Sequence, residues 1–194
     1  MAEFYLSEEF IKSNKIISVV GPHANESLDQ IFQRKINDID ITGFSFWVAG
    51  SSSANPRIVQ NFCFLNKPSY IVFINPGQIN GATNTKISAV NHFFSEDKIN
   101  WNPISDKISN VTGKSYAFIL NTLDIIQDKN LIIDLNYYAK FPDNIDPIKI
   151  NIWQSTFCTI YNENMKNHPN RMKSNIRKII AIGKLKEPYS VWVK

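Results

Sequence analysis

The chain predicts an α/β fold: three layers, with a parallel βαβαβα N-terminal half over about residues 15–95 and a mixed, β-rich C-terminal extension over 96–194, all in a single domain spanning 1–194. Three observations carry this expectation. Compact apolar runs begin near residues 15, 44 and 70, and each is followed by a segment with apolar residues at helical spacing. Strands that are apolar on both faces and alternate with helices suit a parallel sheet with right-handed crossovers. After Ser95 that alternation stops, and turn-rich stretches separate shorter apolar runs.

Taken in order, residues 1–14 read as a short polar helix or an arm. Lys15 to Val20 (KIISVV) is a buried strand closed by Gly21-Pro22. Ser27-Leu28-Asp29-Gln30 matches a capping box, in which each end satisfies the other's free N–H. Leu28, Ile31, Phe32, Ile36 and Ile39 then share a helical face, and Thr42-Gly43 ends the helix.

The second strand is Phe44 to Ala49. Its helix starts with Asn55 as cap and Pro56 in the first turn, where a missing N–H costs nothing. Ile58, Val59, Phe62 and Cys63 form its stripe. Tyr70 to Ile74 (YIVFI) is the third strand, and Ile87, Val90 and Phe94 mark a third helical pattern.

In the second half, periodicity does not decide between strand and helix for Tyr116 to Ile126 or for Met172 to Leu185. Leu131 to Leu135 is a short apolar run. Ile148 to Trp153 and Thr156 to Tyr161 alternate as an antiparallel pair would, and Tyr189 to Val193 closes as a strand.

Composition narrows the function. A hydrophobic share of 43% is enough for a core, and a charged share of 20% is too low for a disordered chain. No apolar run approaches the roughly 18 residues of a membrane span, and the N-terminus lacks a signal-peptide pattern, so a cytoplasmic protein with no membrane partner is expected. Cys63 and Cys158 read as buried free thiols. No His or Cys pair has metal-ligand spacing, so neither a metal nor a cofactor is expected.

Charge is uneven. Between Lys166 and Lys186 lie seven basic residues and no acidic one, which exceeds the net charge of +4 and leaves the rest of the chain net acidic. Such a segment on an acidic body suits a polyanion. Arg171, Lys173, Arg177 and Lys178 are its candidate contacts to a nucleic-acid backbone, and Trp47, Trp101, Tyr189 and Trp192 are aromatics able to stack on bases.

The expected strand ends supply a second set. In an open parallel sheet ligands sit beyond the carboxyl ends of the strands. There the loops carry Ser51, Ser52, Ser53, Asn55, Arg57 and Asn75, candidates for holding a phosphate or nucleotide, with the helix start behind Asn55 presenting free N–H groups. The loops match neither the Walker A nor the dinucleotide glycine pattern. For catalysis, His23 is the candidate base with Glu26 beside it, and Asp134 is a candidate carboxylate at the end of its run. Glu96-Asp97-Lys98 has the E-x-K form seen in metal-dependent nucleases, but without a strand before it.

The first expectation is therefore a nucleic-acid- or nucleotide-binding protein using the basic segment and the strand-end loops. The alternatives are an enzyme on a phosphorylated or nucleotide substrate (hydrolase or transferase, including a nuclease) and a protein–protein interaction module.

Overall fold

The structure is a computed structural model. It describes residues 2–21, 26–49, 52–75, 93–94, 102–103, 116–127, 131–143, 145–150, 156–173 and 175–192.

The N-terminal helix signals are realised residue by residue. Strand β1 (Lys15–Val19) is buried throughout. Helix α3 (Leu28–Thr42) follows two short N-terminal helices, α1 (Ala2–Tyr5) and α2 (Glu8–Ile11), and opens with the reciprocal Ser27/Gln30 capping box. It ends at Gly43 with φ of 82°, a left-handed position that side chains resist and glycine adopts freely. After strand β2 (Ser45–Ala49) and a 3-10 turn (Ser52–Ala54), helix α4 (Pro56–Leu65) begins with Asn55, whose Oδ1 accepts from the Ile58 N–H at 3.1 Å. Strand β3 (Tyr70–Ile74) follows after a short connection.

These elements combine with antiparallel strands from the second half: β6 (Tyr116–Ile125), β7 (Ile132–Asp134), β8 (Tyr138–Lys140), β9 (Thr156–Tyr161) and β10 (Ile176–Trp192). The result is a mixed eight-stranded sheet in the order β2-β6-β10-β3-β1-β9-β8, with β7 paired to β10. Two further strands, β4 (Phe93–Phe94) and β5 (Asn102–Pro103), pair separately. The α/β class thus holds as a mixed sheet with helices.

The expected block of three adjacent parallel strands does not form. Among the described residues only β1 and β3 are parallel neighbours, with Ile17 opposite Val72. Strand β2 lies at the far edge, antiparallel to β6 and separated from β3 by β6 and β10. The physical reason is competition for the β3 edge. The central residues of β10 (Ala181, Ile182, Gly183) pair with Phe73, Val72 and Ile71, so with β1 on the other side β3 has no edge left for β2. The sheet also coils strongly. Trp47 of β2 lies 4.4 Å from Phe73 of β3 between ring centroids, although three strand spacings of about 4.8 Å separate them in hydrogen-bond order.

Three other expectations change. The two ambiguous segments both form strands, and from Ile176 the second runs on through Tyr189 to Trp192 as one strand, β10, which is interrupted rather than ended. Pro188 has no N–H to pair, Tyr189 takes a φ of 67°, and the ladder to β6 jumps from Leu185 to Ser190. The partners of β9 are β1 and β8, not Ile148 to Trp153. The third helical pattern lies mostly outside the described residues, and within it Phe94 is in a strand.

The described core has two faces. On one, α3 and α4 place Phe32, Val59, Phe62 and Cys63 against Ile16, Ile71, Phe73 and Phe118. On the other, Tyr5 and Phe10 of the N-terminal arm, with Ile133, Leu135 and Tyr138, cover Ile17, Val72, Ile74 and Ile182.

Candidate functional site

The carboxyl ends of β1 and β3 lie side by side, joined beyond the strands by the Val20 N–H donating to the Ile74 carbonyl at 3.1 Å. There β3 meets the start of β10. The Asn75 N–H donates to the Lys178 carbonyl at 3.2 Å, and Asn75 Oδ1 accepts from the Lys178 N–H at 3.3 Å. Asn75 and Lys178, separate candidates in the sequence, are therefore in direct contact, with Arg177 next in the chain.

Strand β2 does not bring its carboxyl end here: it is antiparallel to β6, β6 to β10 and β10 to β3, so it runs against β1 and β3, and the expected meeting of three strand ends fails for it. The last turn of α4 is tied to the amino end of β1 by Asn14 Nδ2 donating to Asn66 Oδ1 at 2.8 Å, Gln60 Nε2 donates to the Ser190 carbonyl at 3.0 Å, and the turn before the helix packs against β9. Asn55 Oδ1 serves as the cap, Ser53 is half-buried, and Arg57 is exposed. Ser52 lies in the 3-10 turn. His23 and Ser51 lie outside the described residues, as do Trp101 and the Glu96-Asp97-Lys98 motif.

The basic segment reaches this end on a pinned main chain. Asn136, 3% exposed, donates from Nδ2 to the Met172 carbonyl and accepts at Oδ1 from the Met172 N–H, both at 3.0 Å. Met172 stands between Arg171 and Lys173, whose side chains are exposed. Two residues on, Asn175 is fully buried and donates to the Ile148 carbonyl at 2.9 Å, while its own carbonyl accepts from the Leu135 N–H at 3.0 Å. Arg171, Lys173, Arg177 and Lys178 thus follow one continuous stretch, from an exposed clamped loop to the carboxyl end of β3. Arg171 Nη1 donates to the Lys166 carbonyl at 2.8 Å, and the half-buried Arg177 donates from Nη1 to the Ile176 carbonyl at 2.9 Å. Its Nε is buried without a hydrogen-bond partner.

The candidate catalytic carboxylates have structural roles. Glu26 forms a bidentate pair with Arg34, at 3.0 Å to Nε and 2.7 Å to Nη2. Asp134 ends β7 opposite Ile176 and accepts from the Asn136 N–H at 2.9 Å, capping a 3-10 turn (Leu135–Tyr137). Both thiols are fully buried. Burial pushes Cys63 up to about 12 and Cys158 well above its ordinary value, so neither supplies a thiolate. Among the described residues, no three His, Cys, Asp or Glu side chains converge as a metal-holding group. Of the aromatics, Trp47 is committed to Phe32 and Phe73, and Trp192 packs on Tyr116.

Lys15 is an ionisable group that the sequence patterns do not single out. It is 1% exposed, and its Nζ donates to the Ile11 carbonyl (3.0 Å), the Ser13 carbonyl (2.6 Å) and Tyr138 Oη (3.0 Å). The ring of Phe10 lies 5.1 Å from the same nitrogen and that of Tyr138 4.9 Å. Desolvation lowers its pKa to about 7. A lysine opening an otherwise apolar strand is the one signal of it in the sequence.

No family model matches this chain, and no curated protein or solved structure is detectably similar to it.

Proposed function

We propose that this protein binds nucleic acid or nucleotide phosphates along the stretch from Arg171 to Lys178, ending at Asn75 beside the carboxyl ends of β1 and β3. The observation that carries the reading is the double hydrogen bond from Asn136 to Met172. It fixes the main chain between two exposed cations, so Arg171 and Lys173 are presented from a loop with little backbone entropy left to lose on binding. The contact between Asn75 and Lys178 continues this basic line onto the end of the parallel pair, where ligands of open α/β sheets gather.

The reading is one of binding, since Glu26 is held by Arg34, Asp134 caps a turn and both thiols are buried. The test is affinity for single- and double-stranded DNA and RNA oligonucleotides, and for nucleoside phosphates, across a salt series. The logarithm of polyanion affinity falls linearly with the logarithm of salt concentration when lysines and arginines displace counterions. Negligible binding at low salt, or binding indifferent to salt, would remove this function.

A further inference from the structure

A separate cavity of about 260 Å³ opens between the N-terminal arm and the strands beneath it. Its walls are aromatic. Tyr137 and Tyr161 stack at 15° with centroids 5.9 Å apart, and Tyr138 stands edge-on to Tyr161 at 5.5 Å. Leu6 and Ile11 line the arm side, and both remain exposed although they border a concave apolar space.

The charge around this cavity is negative. Glu8 and Asp134 line it, and Glu163 stands beside Tyr161, whose hydroxyl approaches it at 3.5 Å. Lys12, the cation in the lining, sits 2.6 Å from Glu8 and 2.7 Å from Glu163, so its charge is already matched. Asp134 uses Oδ1 for the Asn136 N–H. Tyrosine faces attract cations, and the Lys15 ammonium already lies over Tyr138. An anion meets the wrong sign of charge here, and a neutral apolar ligand leaves that charge unused.

We infer that this cavity is a binding site for a small organic cation, an alkylated or primary ammonium whose apolar shell packs on the tyrosine rings while its charge faces Asp134 and Glu8. The ammonium comes either from a free small molecule or from a basic side chain of another protein. The site does not depend on the basic stretch from Arg171 to Lys178.

The experiment is a titration of the full chain with ring-labelled tyrosines, followed by NMR. The probes are choline, the neutral alcohol in which carbon replaces the nitrogen of choline, a capped trimethyllysine, and adenosine monophosphate. Choline should saturate shifts at Tyr137 and Tyr161 with affinity about tenfold above its neutral isostere, the scale of a partly desolvated cation–π contact. Tighter binding of capped trimethyllysine than of choline identifies a protein side chain as the source, and the reverse order identifies a free ammonium. Tyr137→Leu and Asp134→Asn should each weaken choline binding several-fold, and Lys12→Met, which frees two carboxylates, should tighten it. Arg171→Ala and Lys173→Ala should leave it unchanged, which separates this site from the phosphate-binding reading. Equal binding of the neutral isostere, displacement of choline by adenosine monophosphate, or no saturable shift would overturn the assignment.

Discussion

Asn75 and Lys178 hold each other through two hydrogen bonds that make β10 begin where β3 ends. One uses both main chains and the other uses the Asn75 side chain, so the junction depends on residue identity at position 75. Asn75→Ala removes the side-chain acceptor and should cost about 1 kcal/mol, the usual scale of one such bond. Asn75→Asp keeps an acceptor oxygen in the same place and should cost less. Urea unfolding midpoints of the two variants check the order.

Lys15 makes stability depend on pH with a definite sign. Its folded-state pKa, about 7, lies below the ordinary 10.5 of an unfolded lysine. Below about pH 7 the amine is charged in both states and its burial opposes folding in full. Between about 7 and 10.5 the unfolded chain binds the extra proton, so stability rises with pH across that window and then levels off. The interval corresponds to about 4–5 kcal/mol at most. Lys15→Met should flatten the rise, whatever its effect at one pH. Denaturant midpoints at several pH values between about 6 and 10 measure both slopes.

Gly183 has no room for a side chain. A Cβ there would lie 3.0 Å from Leu120 Cδ2, 3.1 Å from Ile71 Cγ2 and 3.2 Å from the Thr122 carbonyl oxygen. The backbone oxygen cannot give way as a rotamer does. Gly183→Ala should therefore destabilise by about 1–3 kcal/mol through overpacking, read as a lower thermal midpoint.

The two thiols should be silent in the folded protein. Both are fully buried, and burial raises the pKa of each. A thiol-specific chromogenic reagent at mildly alkaline pH should register neither cysteine until denaturant is added, and then both. Rapid labelling without denaturant would show that the core around Phe62 and Cys158 opens readily.

Arg171 and Lys173 are expected to touch phosphates and not to support the fold, because their side chains are exposed and the main chain between them is held by Asn136. Neutralising either should leave unfolding midpoints within about 0.5 kcal/mol. It should lower the slope of log affinity against log salt by about one for each phosphate left without its cation. Asn136→Ala should do the opposite, lowering stability first, because it strips both main-chain partners from Met172.

The elements easiest to read in the sequence are those whose determinants lie within a few residues. The capping box of Ser27 and Gln30, the left-handed Gly43, the Asn55-Pro56 helix start and the apolar runs of β1 and β3 each satisfy local hydrogen bonds or bury a local face, and all appear where expected. The basic stretch and Asn75 are legible as residue types. Their contact is not, because a hydrogen bond across 103 positions leaves no periodic trace. Lys15 is obscure for a related reason: its three acceptors come from the turn before it and from Tyr138, which is 123 residues away.

The sequence by itself determined the helices α3 and α4, the buried strands of the parallel pair and the position of the positive charge, since each follows from side chains acting on their near neighbours. Tertiary structure alone decided that β10 and not β2 lies beside β3, that the sheet coils until Trp47 meets Phe73, and that Tyr161 joins Tyr137 and Tyr138 around one cavity. Strand pairing is chosen by competition among edges of similar hydrogen-bonding capacity. Side-chain fit across the whole sheet settles that competition, and no local stretch encodes it.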